Sequence, residues 1–405
     1  MFTDVNNTLF NFVNTMYKME IENWYGNHFE DGLSDRYIAL EHIDPLLELY
    51  KNSYEISVIG QSENGQEIPM IKIGHGEKTV LAWSQMHGNE ATTTKGLFDF
   101  LKFVTQKQHF QPEVDAFLSN YTLYIIPILN PDGAQLYTRE NANKVDLNRD
   151  AQDLSQKESQ CLRKLFEALK PDLCLNMHDQ RSIYGFDNGK PATISFLSPA
   201  ANKERTVTEA RKIAMKLIVK MNNSLQKYIP EQVGRYDDSF NEACVGDTFQ
   251  KTGTPTILFE TGHYKQDYER EKTREFIFYA LLSLFNIIEE DYDLNYEAYF
   301  DIPENLKNYN DFILRNVKLN GEEKLLDIAL QYQEVLNNSK IDYEPMVAEI
   351  DNLKSQFGHK EADAKGSGIL TNSQENSTIG SYISNIINKS DNSVIYFQKL
   401  SRVIS

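Results

Sequence analysis

The sequence predicts an α/β protein: a central mixed, mostly parallel sheet flanked by helices, followed by a small C-terminal α+β appendage. Three observations carry this expectation. Between Glu55 and Ile288, short apolar runs alternate with stretches of helical period, the pattern of strands joined through helices. Polar clusters follow directly on four of the apolar segments, where a parallel sheet gathers its ligands beyond the carboxyl ends of the strands. Past about Tyr296 the pattern turns to alternating apolar and polar residues.

Along the chain, Met1 to Tyr50 reads as mainly helical, with Leu9-Phe10, Ile43 and Leu46-Leu47 spaced for one buried face. Ile56 to Ile59 and Ile68 to Ile73, joined through a turn holding Asn64-Gly65, read as a hairpin. Val80 to Trp83 is the next strand, and Ala91 to Val104 has helical period through Leu97, Phe100, Leu101 and Val104. Tyr121 to Leu129 is an apolar strand closed by the turn Asn130-Pro131-Asp132-Gly133. Ser155 and Glu158 have capping-box spacing for a helix that runs to about Leu169 and is ended by Pro171. Leu173 to Met177 is a strand that stops at His178. Lys203 to Tyr228 is helical, Thr256 to Phe259 a strand and Glu271 to Ile288 a helix. Asp327 to Leu336 and Ile341 to Ile350 form a hairpin around Asn337-Asn338-Ser339-Lys340, and Gly366 to Ser381 has the composition of a mobile loop or linker. The expected division is a helical lead over 1–50 packed on a main α/β domain over 51–295, then an appendage over 296–405. Packing is the first role expected of the appendage, ahead of dimerisation or substrate gating.

The 405 residues are ample for a large core. A net charge of -18 disfavours nucleic acid and anionic membrane as partners, since both demand basic patches. An anionic small substrate stays open, because a local arginine pair outweighs charges screened over about 8 Å. Cys161, Cys174 and Cys244 lack CxxC spacing and are expected as free thiols. The N-terminus has no basic region leading into an apolar core, and no run approaches the roughly 18 apolar residues of a membrane helix. A cytoplasmic location is the expectation. The first fifty residues are too short for an inhibitory prodomain, so activation by cleavage is not implied.

The chemistry begins at Met86-His87-Gly88-Asn89-Glu90. His87 and Glu90 are three apart where a strand gives way to a helix, which brings them to one side. Imidazole and carboxylate together suit zinc, and a catalytic zinc needs a third protein ligand and an open position. His178, at a strand end, is the natural third ligand. Glu260, delivered from a buried strand, is a candidate general base, because burial raises a carboxylate's pKa toward neutrality. Arg139 and Arg149 lie in one polar loop. Guanidinium groups match carboxylates bidentately, so one can clamp a substrate carboxylate and the other an oxyanion.

The series HGNE, NPDG, a DLNRD loop, a strand-end NMHD and a strand-end FETG resembles the zinc metallocarboxypeptidase family, over roughly Glu55 to Ile288. The resemblance implies the carboxypeptidase fold and one zinc ion per chain held by His87, Glu90 and His178. It implies that Asn148 and Arg149 bind the substrate's terminal carboxylate, that Glu260 is the base, and that Arg139 stabilises the oxyanion, in a loop shorter than in digestive members. The implied partner is a peptide or amino-acid conjugate with a free carboxylate. Two departures stand out. Asp150 replaces the asparagine that usually follows the Asn-Arg pair and is expected to add negative charge beside the carboxylate site. The family's substrate-covering tyrosine is matched to Tyr236, although a count back from Glu260 comes closer to Ser239. Gly246 and Asp247 are expected around the specificity pocket. Deacylases of the aspartoacylase and succinylglutamate desuccinylase type share HGNE and an Asn-Arg pair, but the NPDG turn and the FETG strand end favour a peptidase. A non-catalytic binding module typically loses the base or a ligand, and all four candidates are present here.

Overall fold

The computed structural model describes residues 18–288, 294–319, 324–372, 374 and 378–397. The expected helical face at Leu9-Phe10 lies outside them. The helices are α1 (18–28), α2 (Leu40–Tyr50), α3 (Thr92–Gln106), α4 (Gln111–Asn120), α5 (Pro131–Leu136), α6 (Lys157–Leu169), α7 (Glu209–Leu225), α8 (Val245–Lys251) and α9 (Glu271–Leu284). The strands up to α9 are β1 (Glu55–Gln61), β2 (Glu67–Gly74), β3 (Lys78–Trp83), β4 (Tyr121–Ile126), β5 (Leu173–Asp179), β6 (Tyr184–Gly185), β7 (Ile194–Leu197), β8 (Val233–Arg235) and β9 (Thr256–Thr261). Beyond it come β10 (Leu306–Lys307), β11 (Tyr309–Val317), β12 (Leu326–Asn337), β13 (Lys340–Asp351), β14 (Phe357–Asp363), β15 (Ile369–Thr371), β16 (Asn385–Asn388) and β17 (Val394–Phe397).

The main sheet is mixed and eight-stranded, in the order β1-β2-β4-β3-β5-β9-β7-β8. The block β4-β3-β5-β9 is parallel, with the β1-β2 hairpin antiparallel on one side and β7 antiparallel to β9 on the other. β5 is buried at every position, as a strand covered on both faces must be. One face lies under α3, α7 and α9, with Phe98, Phe100, Leu101, Ile218, Ile277 and Leu281 in a single core. The other lies under α6 and α8, where Phe166 stacks on Phe249 and Phe249 meets Trp83 edge-on.

α3 and α9 are joined by a buried ion pair. Arg274 Nη2 donates to Asp99 Oδ1 at 2.6 Å and Nε to Oδ2 at 2.9 Å, with neither side chain exposed. Arg274 also donates to the carbonyls of Glu30 and Leu33, and Asp99 accepts from the Glu30 amide, so the pair fixes the N-terminal lead as well. Arg274→Ala would strand the Asp99 charge in the core. It is expected to cost about 3–5 kcal/mol of unfolding free energy, measured by denaturant titration; a loss below about 1 kcal/mol would show that the pair is dispensable.

The start of α6 differs from the expectation. Ser155 does not cap it: its hydroxyl donates to Asp150 Oδ1 at 2.7 Å, and the N-cap residue is Gln156. The Lys157 amide finds Glu63 Oε1 at 2.8 Å, a cap supplied by the β1-β2 turn. Glu158 accepts from the Glu63 amide and from Asn141. The orphan amides are satisfied by remote carboxylates, which local spacing cannot reveal.

β10 pairs with β6, and beyond them lie a four-stranded sheet, β13-β12-β11-β14, and a three-stranded one, β15-β16-β17. They share a core built from Phe312, Leu330, Val347, Ile369, Ile386 and Tyr396. The β12-β13 hairpin has the register expected around Asn337 to Lys340. Within Gly366 to Ser381, expected as a loop or linker, Ile369–Thr371 is instead strand β15, paired with β16. The only helical turn of this part among the described residues is Tyr296–Asp301. No described helix is long and apolar enough to cross a membrane, and Cys161, Cys174 and Cys244 are free thiols.

Candidate active site

The carboxyl ends of the parallel block converge on one point. β3 leads into His87–Glu90, β4 into Asn130–Gly133, β5 ends in His178-Asp179 and β9 in Glu260-Thr261. His178 and Glu260 are partners in the parallel register, so their side chains leave the same face of the sheet.

The loop after β3 is locked from two sides. Gln85 Nε2 donates to the carbonyls of Ile38 and Gly88, both at 2.9 Å. Gly88 rests on the backbone of α5: a Cβ there would sit 2.0 Å from the Gly133 carbonyl carbon and 2.2 Å from Ala134 N. Only glycine fits that approach. Asn130 caps α5 through the Gly133 amide at 2.9 Å and donates to the Met86 carbonyl at 3.2 Å. Asp132 takes Ser62, Gln66 and the Asn64 amide, tying the β1-β2 turn to the same spot. The NPDG turn is thus the buttress of the HGNE loop.

His87 Nδ1 stands 2.9 Å from Glu90 Oε1, His178 Nδ1 stands 2.9 Å from Glu90 Oε2, and the two Nδ1 atoms face each other at 3.1 Å. All three residues are buried, and each offers a ligand atom within 4.8 Å of the others. For nitrogen and oxygen ligands about 2.0–2.1 Å from a tetrahedral ion, ligand atoms are separated by about 3.3 Å. The cluster therefore has the donor set and very nearly the spacing of a zinc site, and its size leaves little room for the wider shell of calcium.

The electrostatics fit the same reading. Burial alone would lower the pKa of His87, but the Glu90 charge and the hydrogen bond to Asp146 bring it to about 9. Burial would raise Glu90, yet His87 and His178 hold it well below the usual carboxylate range. His178 is pushed down by burial, and its Nε2 has no hydrogen-bond partner. A proton thus sits where a cation is wanted.

Asp146 received no role from the sequence. Its Oδ1 stands 3.0 Å from His87 Nε2 and accepts from the Asn148 amide at 2.9 Å, fixing the ring and the loop behind it. A ligating histidine needs a partner for its second nitrogen, and an acid two residues before Asn148 was the available signal. Asp179 was also missed: its amide donates to Glu90 Oε2 at 3.2 Å, and its carboxylate takes Thr92 and Thr261.

Arg139 reaches the cluster from the loop after α5. Its Nη1 is 3.3 Å from Glu90 Oε1 and 3.1 Å from His87 Nδ1, and Nε donates to Asp146 at 3.1 Å. Glu260 is shifted well above the ordinary carboxylate range, chiefly by burial and then by the Glu90 charge. Asn148 turns its carbonyl oxygen to the Val245 amide at 3.0 Å, leaving its amide hydrogens for other partners. Arg149, exposed, donates to the Asn148 carbonyl at 2.8 Å and to Cys244 Sγ at 3.2 Å.

Asp150, expected to add negative charge beside the carboxylate site, directs its carboxylate to the start of α6. It is buried and accepts from the amides of Ser155 and Gln156, both at 2.9 Å, and these hydrogen bonds hold it below its ordinary pKa despite burial. Tyr236 shares a 2.7 Å hydrogen bond with Tyr184, and burial followed by the Glu260 charge pushes its hydroxyl up. Ser239 is tied to Asp237 and Arg205 instead. Asp247 is pushed up to about 6 by burial although it accepts from the Asn241 amide.

Residues 39–246 match the peptidase M14 family, described as zinc carboxypeptidase. Carboxypeptidase SOL1 of Arabidopsis thaliana is 33% identical over 101 residues, 24% of this chain and 21% of that protein. Human carboxypeptidase D is 26% identical over 120 residues, 26% of this chain and 9% of that protein. The chain thus matches only a minor part of the length of these relatives. Among solved structures, a Shewanella denitrificans protein described as a carboxypeptidase A superposes with a TM-score of 0.51 at 17% identity, covering 61% of this chain and 68% of that one. Thrombin activatable fibrinolysis inhibitor gives 0.50 at 16% identity, with 62% and 73% covered. At such identities the structural likeness is one of fold. The family match spans more than half of the chain and ends beyond His87, Glu90 and His178, and on that ground the chain belongs to the zinc carboxypeptidase family.

Proposed function

We propose that this protein is a zinc-dependent metallocarboxypeptidase that releases the C-terminal residue of peptides or of amino-acid conjugates with a free carboxylate. The observation that carries the reading is the convergence of His87, Glu90 and His178 on one point, with Glu260 on the adjoining strand. In this reading those three residues hold one zinc ion, and Asp146 orients His87. When bound, zinc supplies Lewis acidity and brings the pKa of water toward neutrality.

The chain's own groups do the rest. Glu260, with its raised proton affinity, accepts the proton of the attacking water at its carboxylate and passes it to the leaving amine. Arg139 donates to the scissile carbonyl oxygen as negative charge gathers on it. Asn148 and Arg149 take the terminal carboxylate, which restricts cleavage to the last bond. Tyr236 covers the bound residue. Residues 51–295 carry this chemistry, with the lead over 1–50 packed against them and 296–405 as an appendage.

Removing the carboxylate clamp should be selective. Arg149→Ala is expected to lower kcat/KM on a free-acid peptide by about ten- to hundredfold, the worth of a charged hydrogen bond. The same peptide with an amidated C-terminus should be a poor substrate for both proteins, and equally poor. An unchanged preference for the free acid in the variant would sink the assignment. The reaction class is checked by following amino-acid release from peptides alongside hydrolysis of acetyl and succinyl amino acids. Faster turnover of the acyl amino acids would move the assignment to the deacylases.

A further inference from the structure

Behind the metal-ligand cluster lies a buried charge network that the catalytic scheme does not use. Asp179, 8% exposed, ties three segments together. Its amide donates to Glu90 Oε2 at 3.2 Å, its Oδ2 accepts from Thr92 Oγ1 at 2.6 Å and from the Thr92 amide at 3.3 Å, and its Oδ1 meets the Thr261 hydroxyl. Thr92 stands two residues after Glu90, and Thr261 one after Glu260. Asp179 is therefore bonded to the glutamate ligand, to the turn that follows it and to the residue next to the candidate base.

The Asp179 charge is faced from the lead segment by Arg36, 5% exposed, whose Nη1 is 3.8 Å from Asp179 Oδ2 and makes no hydrogen bond. What keeps Arg36 at that distance comes from the C-terminal part of the chain. Glu334, on β12, takes Arg36 Nη2 on both carboxylate oxygens at 3.1 and 3.2 Å and accepts from Tyr137 Oη at 2.5 Å. Arg36 Nε completes the triangle with Tyr137 Oη at 3.4 Å. Tyr37, Ala39, Tyr137 and Ile341 form a small apolar cluster beside it, so the β12-β13 hairpin is seated there by packing as well as by charge.

We propose that Glu334 is a positioning residue for the metal-ligand cluster: by holding Arg36 off Asp179, the C-terminal sheet sets where Glu90 stands. Without the Glu334 charge, Asp179 is the one carboxylate left within 4 Å of the buried guanidinium among the described residues, with the Glu269 charge acting on it beyond that distance, and the strength of such contacts in a poorly solvated site draws Arg36 onto Asp179. Asp179 then gives up part of its hold on Thr92, and the HGNE turn loosens. The inference rests on the zinc-site reading above for its first readout and is independent of it for its second.

In the full-length chain, Glu334→Gln should weaken zinc binding by about tenfold, the lower end of what outer-shell partners contribute, as read by chelator competition. In metal-free protein the amide of Thr92 should exchange its hydrogen several-fold faster, while amides of β11 and β12 exchange as in the parent. Tyr137→Phe, which removes one hydrogen bond from Glu334 and keeps the ion pair, should shift both readouts in the same direction by less. It also serves if Glu334→Gln does not fold. Parent-like zinc affinity and Thr92 exchange in whichever variant folds would overturn the proposal, as would faster exchange spread over the whole C-terminal sheet, which marks a role in packing alone. A parent protein that binds no zinc would refute the zinc reading instead, and the exchange arm would still decide this one.

Discussion

Glu260→Gln is expected to keep zinc and peptide binding and to lower kcat by about 10²–10⁴, the share of a positioned general base. The isosteric amide preserves the volume at the end of β9 and the parallel pairing with β5, so the ligand cluster has no reason to move. It removes the only group on that strand end able to take a proton. The pH profile adds a second signature. Burial, with the Glu90 charge next to it, raises the proton affinity of Glu260 above that of an ordinary carboxylate. Bound zinc opposes that rise, and the base works deprotonated, so activity should fall as pH drops through the pKa that Glu260 has beside the metal, and this acidic limb should vanish from the residual activity of the variant. Stopped assays across pH, with zinc content measured on the same samples, test both. Residual activity above a tenth of the parent would remove Glu260 from the mechanism.

The parts of this molecule legible in the sequence are those in which the signal is local. Strand runs such as Val80 to Trp83 and Thr256 to Phe259 end in polar residues because the sheet delivers them to one edge, and His87, Glu90 and His178 are brought together there. What stayed hidden depends on partners far apart in the chain. Ser155 has the spacing of a cap, but the α6 amide is taken by Glu63, nearly a hundred residues earlier. Asp150 reads as an intrusive charge until the Ser155 and Gln156 amides are seen to surround it. Asp179 and Arg36 look like ordinary polar residues, and their meaning comes from Glu334, almost three hundred residues beyond Arg36. Register and turn chemistry can be read from neighbours, whereas a buried charge declares itself only through what compensates it.

Loss of the metal should have the largest effect of all, and its pH dependence follows from His87. His178→Ala removes one of the three proposed ligands, so zinc content should fall from about one per chain to near zero at micromolar protein, with activity falling in parallel. Chelation of the parent protein should do the same reversibly, and re-addition of zinc should raise the thermal midpoint, since a ligand at a hundred times its Kd stabilises by about 2.7 kcal/mol. In the metal-free protein His87 titrates at about 9, against 6.5 for a free imidazole. Protonated His87 therefore stabilises the metal-free fold; this contribution is complete below about 6.5 and is lost as pH rises through about 9. Zinc needs the ring neutral and must displace that proton, so its apparent affinity should climb about tenfold per pH unit from 6.5 and level off near 9. The two trends run in opposite directions, and chelator competition and thermal melts of the metal-free protein over that range separate them. A zinc affinity flat with pH would mean that His87 carries no proton to displace and is not a ligand in the way its contacts with Glu90 and Asp146 imply.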